Sequence, residues 1–175
     1  MHNLAERLVA VYGDICELDV DAIVNPAHAD LLGGGGLDGT IHTCAGPALL
    51  RACHGLTGCD GGDAKTTPGF RLRAKWVIHT VGPIWRGGSS NEAGLLASCY
   101  RRCLEEAVSA GAASVAFPAI ATGLHGFPIE QAAGIAVREV SGFLRSSPQP
   151  HQVTFACFDN ATIRAYERAL GRNCP

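Results

Sequence analysis

One stretch of this 175-residue chain gathers residues that can hold an anion and move a proton: Asn25-Pro26-Ala27-His28-Ala29-Asp30-Leu31-Leu32-Gly33-Gly34-Gly35-Gly36-Leu37-Asp38-Gly39. Four consecutive glycines let successive amides turn inward to phosphate oxygens, and a helix starting directly after them adds the positive end of its dipole. Asp38 falls in the first turn of that helix, where a carboxylate stays ionised and can act as a general base. Read alone, such a residue is most often an ordinary helix-start carboxylate. A flexible linker is the competing reading of the glycine run, but a linker gains nothing from apolar anchors, and Leu31, Leu32 and Leu37 flank this one. Gly34-x-Gly36-x-x-Gly39 formally fits a dinucleotide fingerprint. Eight residues, however, separate Asn25 from Gly34, and the Gly-Lys-Ser/Thr of a P-loop is absent.

A second stretch repeats the plan: Phe117-Pro118-Ala119-Ile120-Ala121-Thr122-Gly123-Leu124-His125-Gly126-Phe127-Pro128 reads as a strand, a glycine-containing turn and a proline-opened helix. Two such turns can clamp a diphosphate without lysine or arginine. A third feature, Tyr12-Gly13-Asp14-Ile15, places a carboxylate after the first apolar run. It could accept the exocyclic amine of an adenine, although Gly-Asp after a strand is by itself more often merely a turn. The eight cysteines lack a second paired metal-binding element, and the chain exceeds the size of disulfide scaffolds, so reduced and mostly buried thiols are expected and no metal. His42 and His79 read as core or supporting groups, and no cysteine–histidine pair declares itself as a nucleophilic dyad.

These turns need a scaffold, and the apolar pattern supplies one. Runs rich in β-branched residues at 8–12, 22–24, 76–81, 114–117 and 153–158 predict strands. Stretches of helical period at 37–45, 47–53, 92–110, 129–144 and 161–170 predict helices between and after them. The alternation implies a layered α/β fold whose ligand site lies beyond the carboxyl ends of the strands. At 47% hydrophobic residues and net charge −2, residues 1–175 fit one domain, with no footprint for duplex nucleic acid and no membrane span or secretion signal. A cytoplasmic protein is expected. Charged residues reach only 17%, against roughly 25% in average chains, while glycine is 22 of 175. The excess is partly explained by the turns, which hold Gly13, Gly33 to Gly36, Gly39, Gly46, Gly123 and Gly126.

Taken together and in order, these motifs resemble the macrodomain family, especially its MacroD-like branch. Further matches are Ala45-Gly46-Pro47-Ala48-Leu49, His79-Thr80-Val81-Gly82-Pro83-x-Trp85 and Cys157-Phe158-Asp159, so the resemblance spans nearly the whole chain. It implies a three-layer α/β/α domain with a mixed sheet that binds ADP-ribose. It further implies a hydrolase, without cofactor, of ADP-ribosyl esters on acidic protein side chains or of O-acetyl-ADP-ribose; related members also act on ADP-ribosylated nucleic-acid ends. By position, Asp14 would hold the adenine amine with Ile15 as backbone donor, Phe158 would stack near the base, and Asn160 would lie close by. Gly33, Gly34, Gly35, Gly36 and Leu37, with Ala121, Thr122, Gly123, Leu124, His125 and Gly126, would wrap the diphosphate and distal ribose, and Phe127 would pack on that ribose. Asp38 would orient or deprotonate the attacking water, with Asn25 and His28 completing the catalytic set.

His28 is the departure, because the family usually has asparagine at that position. Imidazole can donate and accept as an amide does, but it also titrates near neutrality. Hydrolysis with a pH dependence set by this residue is therefore expected. The alternatives are a non-catalytic reader of ADP-ribose and a phosphatase of ADP-ribose 1″-phosphate. A monomer acting on ADP-ribosylated proteins or O-acetyl-ADP-ribose is the expected working form.

Overall fold

The computed structural model describes residues 3–173, so Cys174 lies outside it. Six strands, β1 Leu8–Tyr12, β2 Ala22–Pro26, β3 Ala64–Pro68, β4 Trp76–Thr80, β5 Ser114–Phe117 and β6 Gln152–Cys157, form one sheet in the order β1-β6-β5-β2-β4-β3. The five strands from β1 to β4 in that order run parallel, and β3 joins the edge antiparallel to β4. The helices are α1 Leu4–Arg7, α2 Gly36–Ala45, α3 Pro47–His54, α4 Glu92–Ser109, α5 Ile129–Ser146 and α6 Asn160–Asn173.

Side-chain alternation divides the core into two layers. Ala22, Val24, Ile78, Val115, Phe117, Val153 and Phe155 face α4, α5 and α6, whereas Ile23, Val77, Ala116 and Ala156 face α2 and α3. The first layer is built around aromatic rings: Tyr100 of α4 meets Phe117 at 5.0 Å and Tyr166 of α6 meets Phe155 at 4.7 Å, centroid to centroid. The two buried tyrosine hydroxyls satisfy each other at 3.1 Å. Truncating Phe117 to alanine would cost about 3–5 kcal/mol by the usual behaviour of buried aromatics. The architecture is thus helices on both faces of a mixed sheet.

Two differences from the sequence-based expectation have physical causes. β3 reads Ala-Lys-Thr-Thr-Pro with only Ala64 and Thr67 buried, so an edge strand leaves almost no apolar signal. β2 runs on through Asn25 to Pro26, where the missing donor of proline falls at the strand's last position. As the predicted elements already implied, no α-helix separates β1 from β2, only a 3-10 turn, Ile15–Glu17. What matters for the site is that β1, β2, β5 and β6 are parallel and end on the same side of the sheet. The three turns singled out above therefore converge there, together with the segment after β6. Among the described residues, no helix is long and apolar enough to cross a membrane.

Candidate functional site

A cleft of about 550 Å³ opens at this end of the sheet. One wall is Tyr12, Gly13, Asp14 and Ile15 at the end of β1, and Ala156 and Phe158 adjoin it at the end of β6. Opposite stand Gly36, Leu37 and Thr40 of α2, with Pro118 after β5. Asp14 caps the 3-10 turn, its Oδ1 accepting from the Cys16 amide at 2.9 Å, which fixes the carboxylate at the cleft's lip. Tyr12 is 65% exposed and Phe158 70%, two rings left open at the ends of the neighbouring strands β1 and β6, Phe158 just past the latter. Large rings exposed in a concave site are stacking surfaces. No lysine or arginine lines the cleft.

Backbone amides take the place of those cations. α2 begins after Gly35 with no side-chain cap, so its first amides lack a partner among the described residues and are available to an anion. Gly33 and Gly36 hold φ of +83° and +63°, a region that favours glycine. A Cβ on Gly39 would sit 2.5 Å from the Gly34 carbonyl oxygen, so the loop folds onto its own helix only because that residue has no side chain. In the second loop, internal hydrogen bonds engage the amides of Thr122, Gly126 and Phe127, leaving those of Gly123, Leu124 and His125 outside the turns. The Trp85 amide donates to the His125 carbonyl at 2.8 Å and ties the loop to the segment after β4.

Of the sequence-predicted binding residues, Asp14, Ile15, Gly36, Leu37 and Phe158 line the cleft, whereas Gly33 to Gly35, Ala121 to Gly126, Phe127 and Asn160 do not. Phe127 is 2% exposed with its ring against Trp85 at 4.7 Å, so it anchors the loop and is not among the residues lining the cleft. Asn160 opens α6, which Asp159 caps through the Thr162 amide at 2.7 Å, and it too is absent from the lining. Tyr12, Gly13, Thr40, Pro118 and Ala156 line it without having been singled out as binding residues. The strand ends and helix start on which they sit were the available signal.

The buried chemistry lies behind the glycine loop. Asp38, only 2% exposed, accepts from the Asn25 amide, Nδ2 to Oδ1, at 2.8 Å. His42 Nε2, one helical turn on, stands 3.4 Å from the same oxygen. Asn25 Nδ2 also lies 3.1 Å from His79 Nδ1, and His79 Nε2 lies 2.9 Å from Thr67 Oγ1. Burial, and to a lesser degree the neighbouring His42, pushes the His79 imidazolium down to about 4, so the ring is neutral at pH 7. A neutral ring that accepts from Asn25 carries its proton on Nε2 and donates it to Thr67. The Cys53 thiol, 3.7 Å from that nitrogen, is pushed up to about 11 by burial and by the Asp38 charge, which denies it nucleophilic character. His28 is exposed, and its ring lies against Gly34: a Cβ there would be 2.4 Å from the imidazole and 3.4 Å from Asp38 Oδ2. Among the described residues, no three His, Cys, Asp or Glu side chains form a metal-ligand cluster.

Known proteins share this arrangement of elements. The family profile described as Macro domain matches residues 24–136. A Salmonella newport protein named O-acetyl-ADP-ribose deacetylase is 53% identical over 171 residues, 95% of this chain and 96% of its own length. A solved macrodomain of Oceanobacillus iheyensis with ADP superposes with a TM-score of 0.91 at 38% identity, covering 98% of this chain and 94% of that one. A Trypanosoma brucei macrodomain in complex with ADP-ribose gives a TM-score of 0.88 at 38% identity, over 94% of this chain and 69% of that one.

Proposed function

The chain belongs to the macrodomain family, and from that premise we propose that it binds ADP-ribose and hydrolyses esters attached to it, with O-acetyl-ADP-ribose and ADP-ribosylated acidic side chains as substrates. The adenine lies at the open end between Tyr12 and Phe158, with its amine on Asp14. The diphosphate takes the amides at the start of α2 and those of Gly123, Leu124 and His125. The distal ribose then reaches Asp38, Asn25 and His28.

The observation that carries the catalytic part is the state of Asp38. One carboxylate oxygen is held by Asn25, while Oδ2 is buried, close to the glycine loop, with no hydrogen-bond partner among the described residues. A buried acceptor of this kind is completed by a donor from outside, and a water there is a nucleophile with its base in place. Asp38 takes the proton as the water oxygen bonds to the ester carbonyl carbon. The ribose–oxygen bond to that carbon then breaks, and the proton returns to the departing ribose oxygen, leaving an acid and ADP-ribose. His28, where an imidazole lies beside Asp38, modulates that transfer.

Calorimetry with ADP-ribose beside acetate release from O-acetyl-ADP-ribose tests the reading. Asp38→Ala is expected to lower kcat by roughly 100-fold or more while the ADP-ribose Kd changes only a few-fold. Tight binding by the wild type without release of acetate, or of ADP-ribose from an ester-linked modified protein, would make the chain a reader of ADP-ribose instead.

A further inference from the structure

Among the described residues, the only buried side-chain nitrogen or oxygen atoms without a hydrogen-bond partner are Asn25 Oδ1 and Asp38 Oδ2, on two side chains bonded to each other. Unpaired buried acceptors are rare enough to call for a reason. Their pairing depends on how the Asn25 amide is turned. As assigned, its NH₂ group gives one proton to Asp38 Oδ1 and the other to His79 Nδ1. Turned over, its oxygen would face the carboxylate oxygen at 2.8 Å, acceptor against acceptor. That repulsion vanishes at the moment in hydrolysis when Asp38 has gained the proton of the water, because a carboxylic acid can donate to an amide oxygen. The one remaining group that can then keep the amide from turning is His79, whose Nδ1 lone pair accepts only from NH₂.

We propose that His79, held by Thr67, is a positioning residue for this hydrolysis: it locks the Asn25 amide so that Asp38 keeps its donor, and Asn25 Oδ1 its lone pairs, throughout the proton transfer. The inference rests on Asp38 being the base. It is built into the sheet. Asn25 and His79 are register partners on β2 and β4, and Thr67 of β3 approaches from the other side of β4, with the ring fully buried among them. Thr67 accepts the Nε2 proton, which leaves Nδ1 as the acceptor. Besides Asp38, the ionisable groups close to the ring are His42 of α2, 6.5 Å away between ring centres, and Cys53 of α3.

The test combines a readout independent of turnover with a kinetic split. Long-range proton–nitrogen correlation spectra of the full chain should show His79 as the neutral Nε2–H tautomer. His79→Leu should lower kcat roughly tenfold or more with KM and ADP-ribose affinity within about twofold. His79→Asn, which puts an acceptor oxygen near the position of Nδ1, should recover most of that loss. Thr67→Val should give a smaller loss and a second, Nδ1–H tautomer, and it carries the test if the leucine variant does not fold. An Nδ1–H wild-type ring overturns the proposal, and so does wild-type kcat in a folded His79→Leu or Thr67→Val. A loss shared equally by kcat and ADP-ribose affinity and not rescued by asparagine also overturns it. Should Asp38→Ala turn over like the wild type, the assignment of Asp38 as the base fails and the positioning role with it; should Asp38→Ala be inactive and His79→Leu unimpaired, only the positioning role fails.

Discussion

The two ends of the cleft are built from opposite materials. At one end, exposed rings and main-chain amides make a surface with hardly a buried polar side chain: Tyr12, Phe158, Gly36 and Leu37, with Asp14 at the lip. At the other, behind the glycine loop, four polar side chains from four elements are buried and bonded in a line, Thr67–His79–Asn25–Asp38. The open end can fit a planar base with little reorganisation, and it tolerates water. The buried end fixes proton positions in a medium where a misplaced donor is costly. Recognition and chemistry are therefore separable, and substitutions at one end should leave the other's observable nearly untouched.

The largest effect expected is on folding, and it tests how buried the inner end is. His79 binds its proton near pH 4 when folded and near 6.5 when unfolded, so between those values the unfolded chain carries the extra proton. Stability is complete above about pH 6.5 and falls as the pH drops toward 4, by on the order of 3 kcal/mol from this residue. Urea unfolding at pH 7 and pH 4.5 should show that His79→Asn has lost this part of the slope; an unchanged slope would mean that the ring is solvated. Next in size, Phe158→Ala should weaken ADP-ribose binding by about 1–3 kcal/mol, with kcat at saturation unaltered. A parallel fall in kcat would erase the division between the ends. At the seam between them, Gly34→Ala would drive the exposed His28 ring aside and set a methyl 3.4 Å from Asp38 Oδ2. A several-fold drop in kcat is expected, and if His28 is what the methyl displaces, the substitution adds little in a His28→Ala background. The smallest change is one of shape: His28→Asn replaces the ring by an amide that can still donate and accept, and kcat should change by less than in Gly34→Ala.

The outer end was the more legible in the sequence. Its features are local: a glycine run before a helix, Gly-Asp after a strand, and a proline-opened helix after a second turn each occupy a dozen residues or so and announce their own backbone geometry. The strands carrying them were readable because burial on both faces writes unbroken apolar runs. β3 was not, since an edge strand with two buried positions carries too little apolar contrast. The inner network was legible only in part: the family resemblance grouped Asn25 with Asp38 and His79 read as a core or supporting group, but Thr67 and the bonded line were missed, for a related reason. Asn25, Thr67 and His79 are 42 and 12 residues apart in order, and only the β2–β4–β3 strand order and register bring them together. Phe127 shows the opposite limit: its place beside the second loop was apparent, but whether the ring turned to the cleft or to Trp85 depended on a partner some forty residues away.

A cleft lined without lysine or arginine, on a chain of net charge −2, also fixes how a ligand arrives. Amide dipoles act over a few ångströms, whereas a cationic cluster would draw a dianion in from a Debye length away. On the proposed reading, capture of a diphosphate would be an unassisted diffusional encounter, and its on-rate should change little with added salt. Differences in affinity among ligands reside in how long each stays rather than in how quickly it is found.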